Sequence, residues 1–367
     1  MQKRTKIITT IVVFIILPAL FFPQKTTSSI LQKLPQSSSV YPLSTIDSLK
    51  DSAYAQKIAR FYKSGSVARF NGEEDLSIYT ISFFNNDTTT DTLGNISISS
   101  GKAIFISSGR TEAAVKYQEL IFDLYNSGFS VFVIDHRGQG LSGRMTEDST
   151  MGYIEDFSYY IKDAKHYYDS IVVPSNPTKI FLLAHSLGGG IAAEYLETHP
   201  TDFDAAVLSS PMLGLPFPTC PGIGLFVKKE PNYAPGMKPY SEYDTTFANT
   251  KLTTSEFRFA RMNRAFDNEP SAALGGASAQ WVQRSCKAFK QIFENVDSIT
   301  TPLILFSASQ EAIVSPKAHT KFIKKLQKEG KDATGYEVIG GKHELFIEQD
   351  SIRTRVLTTI LDFYNQQ

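Results

Sequence analysis

The stretch "FLLAHSLGGGIAAEYL", Phe181 to Leu196, decides the fold. An apolar run enters a turn of small residues, and the turn opens into a helical pattern. Three chemistries begin this way. A phosphate-binding loop needs a lysine and a Ser/Thr after its glycines, and "SLGGGIAAE" has neither. A dinucleotide site is nearer, since Gly188, Gly190 and Ala193 fit G-x-G-x-x-A. That site also needs an acid at the end of the following strand to hold a ribose, and this strand ends "LSSP" at residues 208–211. The third reading is a nucleophile elbow. There a tight strand-to-helix turn presents a serine, here Ser186, and the residues two before and two after must be small for the backbones to approach. Ala184 and Gly188 meet that demand.

An elbow needs an acid and a histidine at the ends of later strands, in that order. Of six histidines, His136 and His166 precede Ser186 and His185 adjoins it. His199 ends the helix that leaves the elbow, where it suits the helix C-terminus. His319 lies in a lysine-rich helical stretch and is expected to be solvated. That leaves His343, in the loop "GYEVIGGKHELF" (residues 335–346) after the last strand. Between Asp297 and Glu329 the single carboxylate is Glu311, in "SASQEAIV" after the preceding strand. It can orient an imidazole as well as an aspartate can. The oxyanion hole needs two backbone N–H groups. They are expected from Leu187, after the nucleophile, and from Arg110 in the loop after "KAIFIS", where Gly109 permits a close turn.

Around this turn, strands and helices alternate. "KAIFIS", "SVFVID", "KIFLLA" and "AAVLSS" are short continuous apolar runs, the mark of a parallel sheet covered on both faces. Between them lie helical patterns at residues 113–127, Ser158–Asp169 and Leu187 to about Glu197. Earlier, "SVARF" and "LSIYTISFF" around "NGEED" predict a hairpin, and Ile46–Phe61 predicts a helix. Residues 23–40 are rich in Ser, Thr, Gln and Pro and are expected to be a tether. Alternation stops after Pro211, in a segment full of proline, glycine and aromatics, and resumes near Ala277 with "PLILFSA", "GYEVIG" and a closing helix. The expected organisation is therefore a membrane segment (1–24), a tether and N-terminal helix (25–62), an α/β core (63–211 and 277–367), and an insertion (212–276) after the sixth core strand, placed like a lid.

With these residues in place, the chain resembles the α/β-hydrolases of the bacterial lysophospholipase and monoacylglycerol lipase group, the serine aminopeptidase-like hydrolases. The resemblance is carried by "SSGRTEAAVKYQELIFDLYNSGFSVFVIDHRGQGLSGR" (107–144), "LLAHSLGGGIAAEYL" (182–196), "SSPMLGLP" (209–216), "GGASAQWVQRS" (275–285), "SASQEAIVSP" (307–316) and "GGKHELF" (340–346). It implies a mostly parallel central sheet with helices on both faces and a lid. It places Ser186, Glu311 and His343 on the family triad and Arg110 and Leu187 on its oxyanion positions. Within the loop from Asp135 to Arg144, it gives Asp135, Arg137 and Gly138 the role of holding the loop. Two departures are Ala184 for the first elbow glycine and Ser108 where monoacylglycerol lipases carry histidine.

The resemblance implies a lipid substrate, a lysophospholipid or monoacylglycerol, cleaved without metal or organic cofactor. The alternatives are small esters, thioesters or peptides on the same triad, or an inactive membrane-tethered lipid-binding protein. Phe217, Phe226, Tyr233 and Tyr240 are candidates either to line an acyl site or to form lid core. Arg110, Arg137 and Arg144 could meet a phosphate, but read first as structural partners. Lys plus Arg and Asp plus Glu both total 37, so the basic excess of a nucleic-acid binder is missing. "MQKRTK" followed by the uncharged run Ile7–Phe22 predicts a signal-anchor, with a cleaved signal as the alternative. The basic flank would stay inside and the domain would be exported to the periplasmic side of the inner membrane, or secreted after cleavage. Cys220 and Cys286 allow no zinc pattern. They read as two buried thiols, with a disulfide the alternative in an exported chain.

Overall fold

The computed structural model describes residues 30–90, 96–240 and 246–367. The expected membrane segment, residues 1–24, lies outside them. In chain order the elements begin β1 (Leu31–Lys33), α1 (Ile46–Lys50), α2 (Ser52–Lys63), β2 (Ser66–Asn71), β3 (Ser77–Phe83), β4 (Asp87–Thr90) and β5 (Ile96–Ser99). Next come β6 (Lys102–Ser107), α3 (Gln118–Asn126), β7 (Phe129–Asp135), α4 (Ser158–Tyr167), β8 (Lys179–His185), α5 (Leu187–Thr198) and β9 (Ala205–Ser209). Then follow α6 (Thr219–Gly222), α7 (Glu256–Asn268), α8 (Ala279–Asn295), β10 (Leu303–Ala308), α9 (Pro316–Lys328), β11 (Ala333–Val338) and α10 (Asp350–Gln366).

Nine strands form one sheet in the order β1-β11-β10-β9-β8-β6-β7-β3-β2. All pairings are parallel except those of the β2–β3 hairpin and of β3 with β7. The apolar runs explain why both faces are covered. Successive side chains of a strand point to opposite faces. Phe105, Phe132, Leu182 and Leu208 thus pack in one layer with residues of α4, α5, α8 and α9. Ile104, Val131, Phe181 and Val207 pack in the other with residues of α3 and α10.

Local departures from the sequence reading have local causes. The helix expected over Ile46–Phe61 is two helices, because Asp51 leaves helical geometry at ψ 120° and its carboxylate caps α2 through the Ala53 N–H. The expected tether is in part built into the core. Leu31–Lys33 pairs with Gly335–Glu337 as the edge strand, and Leu34 is buried. His319 is not solvated but fully buried, with Nδ1 2.8 Å from Ser307 Oγ and Nε2 2.8 Å from the Pro211 carbonyl. Burial pushes its pKa down to about 4. Cys220 and Cys286 are not free thiols. They form a disulfide that fastens α6 to α8, their Cα atoms 5.6 Å apart. No helix among the described residues is long and apolar enough to cross a membrane.

Candidate active site

The turn between β8 and α5 is as tight as its composition requires. Ser186 has φ +51° and ψ −116°, a conformation that L-residues rarely adopt. Its backbone is over-determined. The Ser186 N–H donates to Ser209 O, and its carbonyl accepts from the N–H groups of Gly189, Gly190 and Met212. A Cβ at Gly188 would lie 2.1 Å from the Ser107 carbonyl oxygen, so only glycine fits where α5 meets the end of β6. Ala184 is fully buried and small enough for its place in β8.

Three side chains meet at the carboxyl ends of β8, β10 and β11. Ser186 Oγ is 2.9 Å from His343 Nε2, and His343 Nδ1 is 2.8 Å from Glu311 Oε2. The other carboxylate oxygen, Glu311 Oε1, accepts from the N–H groups of Ile313 (2.8 Å) and Val314 (3.2 Å). Burial alone would raise the Glu311 pKa. The hydrogen bond and charge of His343, with those two N–H groups, outweigh it and hold the carboxyl down to about 2. An ionised carboxylate only accepts. Nδ1 therefore carries the proton toward Glu311, and Nε2 is free to accept from the serine hydroxyl.

Leu187 is the first residue of α5, so its N–H has no intrahelical acceptor. In the loop after β6, the Gly109 N–H is taken by Glu112 Oε2 at 2.6 Å. The Arg110 side chain donates to Gly275 O from both Nη atoms (2.9 and 3.0 Å) and lies over the Trp281 ring. Arg137 pairs with Asp163 (Nε–Oδ2 2.6 Å), and Arg144 donates to four backbone carbonyls. All three arginines that could have met a phosphate are thus engaged in holding loops. Asp135 holds its own loop by accepting from Ala114 N–H and Leu141 N–H.

The segment after β9 reaches the site. Lys251 O and Leu252 O accept from the N–H groups of His343 (3.4 Å) and Glu344 (2.7 Å). Phe217 is 88% exposed and Phe226 50%, so neither ring is packed in a core in this conformation. The Tyr233 hydroxyl donates to Asp148, and Tyr240 is half-buried.

Sequence reasoning missed a second buried group beside Ser186 and His343, made of Glu112, Lys116, Tyr117, His185 and Glu344. Lys116 Nζ donates to both Glu112 and Glu344, and Tyr117 OH donates to Glu112. Glu112, His185 and Glu344 present donor atoms within 4.8 Å of one another, a spacing that a metal ion could use. The Lys116 ammonium already supplies the cation between the two carboxylates. The signal for this group was present in "TEAAVKY", where Glu112 and Lys116 stand four apart in an otherwise apolar stretch.

The parallel sheet, the elbow and a Ser–His–Glu chain at the strand ends define an α/β-hydrolase. The serine aminopeptidase (S33) family matches residues 99–350, and the chain belongs to that family. It is 31% identical to lysophospholipase L2 of Escherichia coli K12 over 83% of this chain and 89% of that protein. It is 24% identical to the monoglyceride lipase of Mus musculus over 69% and 79%. Its fold matches the soluble variant of Saccharomyces cerevisiae monoglyceride lipase with a TM-score of 0.61, at 17% identity over 82% and 96% of the two chains. The chain is an enzyme, an ester hydrolase.

Proposed function

We propose that the protein cleaves the acyl ester of a lysophospholipid or a monoacylglycerol through an acyl-enzyme on Ser186. The observation that carries this reading is the continuous relay Ser186 Oγ–His343 Nε2 and His343 Nδ1–Glu311 Oε2, at 2.9 and 2.8 Å, on a strained elbow. His343 takes the serine proton as Oγ attacks the ester carbonyl. The N–H groups of Leu187 and Arg110 stabilise the oxyanion of the tetrahedral intermediate. His343 then protonates the departing glycerol oxygen, the ester C–O bond breaks, and the acyl group stays on Ser186. Water, deprotonated by the same imidazole, attacks the acyl-enzyme and releases the fatty acid. Glu311 stabilises the imidazolium in both steps.

The substrate class draws support from the enzymes named lysophospholipase and monoglyceride lipase among the relatives. Residues 212–276 act as a lid in this reading, supported by the grip of Gly275 on Arg110 and of residues 251–252 on the histidine loop. Incubating the protein with lysophosphatidylcholine, lysophosphatidylethanolamine and monoacylglycerol tests it. Fatty acid release is expected from at least one, and Ser186→Ala should abolish both release and labelling by a fluorophosphonate. Negligible release from all three, with a short-chain ester still cleaved, would replace the lipid reading with the small-ester one.

We further propose that residues 1–24 anchor the chain and that the catalytic domain is exported. The Cys220–Cys286 bond supports this, since such bonds persist in oxidising compartments. Protease added outside spheroplasts should digest the domain; full protection would place it inside.

A further inference from the structure

Acyl transfer through Ser186, His343 and Glu311 makes no use of the buried charges beside them. Glu112 belongs to the loop after β6, the one assigned to the oxyanion. It is tied to that loop by accepting the Gly109 N–H at 2.6 Å. Gln139 closes the same loop from outside, its Nε2 donating to Gly109 O at 2.6 Å and to Glu112 O at 3.2 Å. Glu344 belongs to the other loop, next in sequence to His343, and its N–H donates to Leu252 O at 2.7 Å. Lys116 joins them across 228 residues of sequence, its ammonium donating to Glu112 Oε1 and to Glu344 Oε2. Its side chain is 2% exposed. His185 fills the space between this group and the triad. Its ring centroid is 4.8 Å from that of His343, and its Nε2 lies 3.6 Å from Glu112 Oε1 and 3.7 Å from Glu344 Oε2.

We propose that Lys116 is a positioning residue that locks the oxyanion-side loop to the base-bearing loop by bridging Glu112 and Glu344. The inference rests on the assignment of Ser186, His343 and the backbone N–H groups above. Burying an ammonium carries a large desolvation cost, which a well-made pair of carboxylates offsets. Such a group does little for stability that an apolar core could not do. It does specify one relative placement of two loops whose sequences are far apart. Acyl transfer is sensitive to that placement, because a shift of about 1 Å between reacting groups can cost roughly 100-fold in rate. Without the ammonium, two buried carboxylates face each other and push the loops apart, unless one takes up a proton.

The test compares wild type, Lys116→Met, Lys116→Arg, Glu344→Gln and Lys116→Met/Glu344→Gln in the full chain. A short-chain p-nitrophenyl ester is the probe, kcat is counted per fluorophosphonate-titrated site, and a thermal melt is recorded for each. Lys116→Met should lower kcat at least about 30-fold with KM within about threefold. Lys116→Arg keeps a cation that can fork to both carboxylates and should recover most of the loss. The double variant should be no slower than the worse single one, because both break the same bridge. If Lys116→Met does not fold, Glu344→Gln carries the test, since it leaves the Lys116–Glu112 pair intact. A drop in kcat of about 10-fold or more at constant KM is then expected. A lowered melting temperature with unchanged kcat per titrated site, in whichever variant folds, overturns the proposal and leaves Lys116 a stability residue. Wild type that neither labels nor cleaves the probe would instead overturn the assignment of Ser186, before any variant is compared.

Discussion

Ser186 sits at φ +51° because four backbone hydrogen bonds hold it there, not because serine prefers it. The same logic of over-determination applies to Glu311, whose two carboxylate oxygens are both occupied. Its charged form is favoured, with the carboxyl held down to about 2 against an ordinary value of 4.5. A depressed carboxylate contributes stability that is fully present above the ordinary value and is lost as pH falls through the folded value. Glu311→Gln should therefore be less stable than wild type at pH 7, and the gap should close as pH falls from about 4.5 towards 2. Urea midpoints across that range measure it, and a constant gap would deny the charge any role. At pH 7 the same variant should lose roughly 10²–10⁴-fold in kcat with KM little changed, since glutamine cannot stabilise the imidazolium. That Ser186, Glu311 and His343 would meet was legible in the sequence, because strand ends specify where each must stand. The bridge from Lys116 to Glu344 was not, because its meaning depends on a partner 228 residues away.

At the scale of elements, legibility followed periodicity. Apolar runs located the strands of the parallel core from β6 to β11, whereas β1 was hidden in a polar segment. His319 shows where attention to charge misled. Lys317, Lys321, Lys324 and Lys328 of α9 are exposed, while His319, Phe322, Ile323 and Leu326 recur at helical spacing and are all buried. That spacing was readable; the lysine-rich composition masked it. The Cys220–Cys286 bond was not readable, since no periodicity brings α6 to α8. It closes a loop with a sequence separation of 66. By the chain-entropy argument such a cross-link restricts the unfolded chain by about 4 kcal/mol. Cys220→Ser/Cys286→Ser should accordingly unfold several degrees below wild type, and wild type in strong reductant should behave like the variant. Coincident melts for all three would show that the link stabilises nothing.

Over the whole molecule, the segment after residue 30 turns an apparent tether into a strap. Leu31–Lys33 completes the sheet beside β11, and Leu34 enters the core. Ser37 and Tyr41 hydroxyls donate to Asp362 on α10, at 2.5 and 2.8 Å. Ser44 then reaches three distant elements. Its N–H and hydroxyl donate to Asp123 of α3, while its carbonyl accepts from Arg258 of α7 and Arg353 of α10. Asp123 is buried and its pKa is raised, mainly by that burial, so the loss of Ser44 would remove donors that favour its charged form. The polar composition of residues 23–40 concealed this, because a strap that crosses the surface needs few apolar side chains to dock. Two truncations separate tether from strap. A chain of residues 30–367 keeps β1, Leu34 and the Ser44 junction and should melt within about 2 °C of a chain of residues 1–367. A chain of residues 46–367 loses β1, Leu34 and the Ser44 junction. It should melt more than about 5 °C lower, at roughly 2–4 °C per kcal/mol for a domain of this kind. Equal melting of the two truncations, followed by circular dichroism, would return residues 30–45 to the role of a linker.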